Sequence, residues 1–155
     1  MNFFTETEAA VLAILQAAEG AEAIQTWEDE LREVLFTGEQ LSKGFRLAEL
    51  PAVMVTTSQD PTRSSQFTSG EIRYVIPVQI LLVTAAGKKE EARGAVLGLM
   101  RTLESALHQA RRSDSLGPNS FISDDLVSSH VIVQDRPYHY AVGNITAMVT
   151  KVVEV

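Results

Sequence analysis

The reading of the fold turns on one stretch, Ile72-Arg73-Tyr74-Val75-Ile76-Pro77-Val78-Gln79-Ile80-Leu81-Leu82-Val83-Thr84. Its even positions Ile72, Tyr74, Ile76, Val78, Ile80 and Leu82 are all apolar, the period-two pattern of a strand with one face committed to a core. Val75, Leu81 and Val83 make part of the second face apolar too, so the pattern predicts cover on both sides. Pro77 cannot donate a ladder hydrogen bond, which places the strand at a sheet edge or at a bulge.

Downstream, Ala85-Ala86-Gly87 reads as a turn, and residues 88–112 as the longest helix. Ala92, Val96, Leu99, Leu103, Ala106 and Ala110 form its apolar stripe, which predicts packing on the sheet. Residues 113–125 have loop composition. Residues 126–134 and 145–155 are β-rich, and the connection between them contains Arg136-Pro137-Tyr138-His139-Tyr140, which predicts a closing hairpin with an irregular tip.

Upstream, residues 58–70 are rich in Ser, Thr, Gln, Pro and Gly and read as a long mobile loop, preceded by the short strand Ala52-Val53-Met54-Val55-Thr56. Thr5 followed by Glu8 has the spacing of a capping box, and Val11, Leu12, Leu15 and Ala18 give a helix over residues 5–18 that Gly20 ends. Thr26 with Asp29 repeats the start signal. Trp27, Leu31, Val34 and Leu35 then predict a shorter helix over residues 27–36, stopped at Gly38, with an acidic opposite face. No repeat or linker divides the chain. The expectation is one α+β domain over residues 1–155, a helical amino-terminal segment (5–37) leading into sheet and long helix (51–155). Its sheet has about four strands, mostly antiparallel or mixed, packed against the long helix and the amino-terminal helix.

The chain has 155 residues and a formal net charge of −7, which argues against a generic nucleic-acid binder. The charge is uneven. Residues 1–40 hold nine acids (Glu6, Glu8, Glu19, Glu22, Glu28, Asp29, Glu30, Glu33, Glu39) against Arg32, or −8, and the remaining eleven acids and twelve bases give +1. Absence of cysteine excludes disulfides, thiolate metal sites and cysteine nucleophiles. The acidic amino terminus is unlike a signal peptide, and no apolar run has the length of a membrane span, so the chain reads as soluble and unexported with no membrane partner.

Catalytic signatures are missing from the sequence: it has no Gly-x-Ser-x-Gly elbow, Walker loop, dinucleotide fingerprint or His-Glu-x-x-His pair. His130 and His139 could meet across the hairpin and recruit Asp135 as a third metal ligand, although His108, His130 and His139 lack ligand spacing. Asp124-Asp125 could hold a cation or act as acid and base, but adjacent acids in a loop are usually a solvated turn. Tyr138-His139-Tyr140 could stack a base, or simply pack its rings on the sheet, the reading we favour. The expectation is therefore no catalytic, metal or cofactor site.

Gly94 and Gly98 each cost about 1 kcal/mol relative to Ala in a helix unless another backbone comes close, either the chain's own sheet or a neighbouring subunit. The long helix carries Lys88, Lys89, Arg93, Arg101, Arg111 and Arg112 against Glu90, Glu91 and Glu104, a net +3 opposite in sign to residues 1–40. The two could meet within one subunit or remain solvated. Alternatively they meet between subunits in a head-to-tail ring, with Glu28, Glu30, Glu33, Arg93, Gly94, Gly98 and Arg101 as interface candidates.

The arrangement resembles the tail terminator, or tail completion, proteins of long-tailed bacteriophages and the related minor tail and neck proteins. The resemblance rests on the amino-terminal helix, on Leu50-Pro51-Ala52-Val53-Met54-Val55, on Tyr74-Val75-Ile76-Pro77-Val78-Gln79-Ile80-Leu81-Leu82-Val83, and on the long helix and final strand. It implies a structural, non-enzymatic virion protein that assembles as a ring, commonly a hexamer, on the last ring of tail-tube protein. Such a ring stops tube growth and presents a surface to the head-completion or neck proteins. It implies placement in the virion tail, after assembly in the host cytoplasm, and passage of DNA without specific binding; from the charge distribution, the wall of such a channel is expected not to be strongly basic. Loops 58–70 and 113–125 would face the channel or the tube, with Arg63, Arg111 and Arg112 as the charged candidates there. A head-to-tail connector or another minor tail protein fits the same element order. The alternative of another class is a small enzyme or ligand-binding domain using His130, His139 and Asp135.

Overall fold

A computed structural model describes residues 3–37, 40–57, 61–111, 114–123 and 125–154. The decisive stretch lies within β4 (Glu71–Ala86), which pairs along its whole length with β7 (Tyr138–Glu154), in register from Glu71 opposite Glu154 to Ala86 opposite His139. The two long antiparallel strands form the spine of the sheet. On the far flank of β4, β3 (Arg63–Thr68) pairs with the first part and β2 (Ala52–Thr56) with the second. On the far flank of β7 lie β5 (Ser120–Ile122) and β6 (Val127–Asp135), and β1 (Thr26–Glu28) adds to β2 in parallel. Among the described residues the sheet is mixed and seven-stranded, where the sequence suggested about four strands.

Pro77 is accommodated differently from expectation, because β4 is a central strand rather than an edge. β3 pairs residues 71–75 of β4 and β2 pairs residues 79–83, so Pro77 falls in the interval where that flank has no partner among the described residues. A missing N–H there breaks no ladder bond on that flank.

One sheet face carries α1 (Phe3–Gln16) and α4 (Lys89–Gln109). Val11 and Leu15 from α1, and Ala92, Val96, Met100, Leu103 and Leu107 from α4, pack on Val53, Val78, Ile80, Leu82 and Ile145. The buried stripe of α4 therefore runs through Met100 and Leu107, where the sequence pattern pointed to Leu99 and Ala106, both of which are only half-buried. Expected and observed bounds agree closely for β2, and the long helix is three residues shorter at its end.

The second face is covered at one end by α2 (Val34–Thr37), α3 (Leu41–Gly44) and the 3₁₀ turn Leu47–Glu49. Leu41 and Phe45 pack there with Ala52, Met54, Val83 and Tyr140. The predicted helix over 27–36 is corrected by this arrangement: Thr26, Trp27 and Glu28 extend alongside Ala52, Val53 and Met54, and only Val34–Thr37 is helical. The chain bends where Arg32 reaches both Glu28 (2.8 Å) and Glu49 (2.7 Å), also donates to the Gly44 carbonyl, and lies 4.2 Å from the Phe45 ring centre. Those contacts outweigh the local helical pattern. Gly38 lies outside the described residues.

Three further expectations change. The capping box at Thr5 does not form, since α1 already begins at Phe3 and the Glu8 carboxylate instead accepts the Thr57 N–H (2.8 Å) and hydroxyl (2.6 Å). Residues 63–68 are a strand and not part of a mobile loop, and residues 120–122 are likewise a strand. The closing hairpin has a tight tip, with Asp135 opposite Tyr138, so Tyr138-His139-Tyr140 belongs to β7. The Tyr140 ring is buried in the second core cluster, as the packing interpretation of that triplet requires.

Candidate functional site

β6 differs from every other long element. It pairs with β7 on one side and, among the described residues, has no strand on the other. From Val127 to Gln134 it contains no charged residue at neutral pH, and Val127, Val131 and Val133 are 67%, 55% and 38% exposed. Long edge strands are normally protected by a charge, a proline or a bulge, because their unpaired N–H and C=O groups invite another strand. β6 has none of these until Asp135.

Alternation along β6 sorts its side chains. His130, Ile132 and Gln134 share the α4 face with His139, which stands opposite Gln134, while Val131, Val133 and Asp135 face the other way. His130, Gln134 and His139 line an open groove of about 550 Å³ with Lys89 and Arg93 from the first turns of α4, and among the described residues no acid lines it. Asp135 lies elsewhere, accepting the Ser42 N–H at 2.9 Å. Hydrogen bonds from the Ser42 hydroxyl and N–H hold its carboxyl below the usual carboxylate range. The proposed His130, His139 and Asp135 trio is therefore not brought together, since Asp135 projects from the opposite face. Among the described residues no three His, Cys, Asp or Glu side chains cluster as metal ligands. Asp125 is exposed, and Asp124 lies outside the described residues.

The interface candidates occupy two regions. Glu28 is tied to Arg32, but Asp29, Glu30 and Glu33 are exposed just beyond β1, at the edge of the sheet opposite β6. Arg93, Gly94, Gly98 and Arg101 are exposed on α4. Among the described residues no atom outside the helix lies within 4 Å of where a Cβ would stand on Gly94 or Gly98, so the chain's own sheet does not explain these glycines. Close approach occurs instead at Gly143, where a Cβ would stand 2.5 Å from the Met100 sulfur and 3.1 Å from Val96. Arg63 is exposed on strand β3. Arg111 is half-buried, its carbonyl accepting the Ile122 N–H at 2.9 Å, which ties it to β5. Neither occupies the mobile loop assigned from sequence, and Arg112 lies outside the described residues.

The β6 edge is not marked as a site by the sequence pattern. Its signal was present, an apolar-polar run with no charge over eight residues, but nothing local distinguishes an edge strand from an inner one. No family model and no curated protein matches the chain. Among the described residues no helix is long and apolar enough to cross a membrane.

Proposed function

We propose that this chain is a self-assembling structural protein of a phage tail, whose copies join into a ring at the end of the tail tube. The ring stops tube growth and offers the surface for joining the head. The observation that supports self-assembly is β6, an uncharged edge strand whose outer backbone groups are a template for another strand and whose three exposed valines offer apolar surface to cover. What directs that assembly property to the tail is the resemblance of the sequence phrases around Leu50-Pro51-Ala52-Val53 and Ile76-Pro77-Val78-Gln79-Ile80 to tail terminators. The broad groove beside His130 is the feature a ligand-binding domain would use, but it lacks the apolar enclosure of a small-molecule site and suits a protein surface better.

The test is electron microscopy of tails made without this protein. Tubes of uneven, excessive length that fail to join heads are expected; uniform tubes that still join heads would rule out the terminator role.

A further inference from the structure

We infer that β6 and its cationic groove receive the β1 edge of a second copy, whose exposed acids Asp29 and Glu30 bind Lys89 and Arg93. This inference rests on the assembly reading above and names the two surfaces that meet. Two observations carry it.

The first is topological. β1 and β6 are opposite edges of the same rows of the sheet: Trp27, Val53, Leu82, Gly143 and His130 stand in one row, and Thr26, Ala52, Val83, Val142 and Val131 in the next. A copy placed edge to edge therefore continues the sheet, and the strand directions make the new pair antiparallel. Joining unlike edges is a heterologous contact, which closes into a ring or continues as a filament, whereas pairing two β6 edges would end at a dimer.

The second is charge. The groove beside β6 holds Lys89, Arg93, His130 and His139 with no acid among the described residues that line it, while the chain just past β1 presents Asp29, Glu30 and Glu33. Opposite potentials on opposite edges favour head-to-tail contact and disfavour like edges meeting. The register also fixes what the contact requires: unshifted, Glu28 of the incoming copy lies level with Ser129 and the chain bearing Asp29 and Glu30 leaves on the side away from the groove, so the incoming copy must be staggered along β6 toward Asp135 for these acids to reach Lys89 and Arg93.

Charge exchange tests the contact. Lys89→Glu with Arg93→Glu, and separately Asp29→Lys with Glu30→Lys, are exposed changes that should leave the far-UV spectrum and melting behaviour intact. In sedimentation velocity at low salt, each double variant should associate about tenfold or more weakly than the wild type. Mixing the two variants should restore assembly, because both unlike contacts of an alternating series again pair opposite charges, and combining all four changes in one chain should restore the wild-type species. Wild-type assembly that neither variant weakens, or weakening that the fourfold variant does not reverse, would overturn this contact while leaving ring assembly standing. A wild type that stays monomeric at high concentration in both low and high salt would overturn the contact and the assembly reading together.

Discussion

At the scale of single residues, Arg32 shows how a side chain can redirect the backbone. Its guanidinium joins Glu28, Glu49, the Gly44 carbonyl and the Phe45 ring, and so ties the end of β1 to residues 44–49. The Arg32 hydrogen bonds, followed by the Arg46 N–H, hold the Glu49 carboxyl down at about 2 from its ordinary 4.5. A carboxyl depressed on folding stabilises the protein above its unfolded value, and that contribution disappears as pH falls from 4.5 toward 2. Chemical denaturation across that range should therefore show Glu49→Gln less stable than wild type at neutral pH, with the gap closing in acid; a constant gap would contradict the assignment. Glycines give a second prediction. Gly94→Ala and Gly98→Ala meet open space and should each stabilise the isolated chain by about 0.5–1 kcal/mol, as helix-interior glycines do. Gly143→Val crowds Met100 and Val96 and should cost about 1–3 kcal/mol in the same unfolding assay.

Among elements, legibility in the sequence followed where each strand gets its stability. β4, β2 and α4 could be read because they bury their own apolar residues, and periodicity records that burial. β1, β3 and β5 could not. Thr26–Glu28 is three residues long, Arg63–Thr68 is largely polar, and Ser120–Ile122 sits within loop composition. Each is a strand because a longer neighbour offers it an edge, and pairing of that kind leaves no pattern in the paired segment itself. The same reasoning explains the candidate site: the separate ingredients Arg93, His130 and His139 were visible in the sequence, but only register shows that His130 and His139 share a groove and that Asp135 turns away from it. For β6, alternate N–H groups point away from β7 and, among the described residues, meet no partner strand in a single copy. Hydrogen exchange should find those amides fast in dilute protein and protected after assembly, while the β4 amides stay slow in both states; equal protection of β6 at all concentrations would show that its edge is not used.

For the molecule as a whole, the net charge of −7 describes no actual surface. The fold carries acids past β1 at one edge of the sheet and gathers cations beside β6 at the other, so each copy has unlike ends. That polarity gives a repeating contact its direction, and the exposed valines of β6 give it an apolar centre. The most direct measurement of this account is the association state of wild type beside Val131→Lys, a change at an exposed position that should alter monomer stability by less than about 0.5 kcal/mol. Sedimentation velocity combined with electron microscopy should show closed rings of the wild type and folded monomers of the variant. Rings that form equally well with Lys at 131, or a wild type that never leaves the monomeric state at any salt concentration, would contradict it.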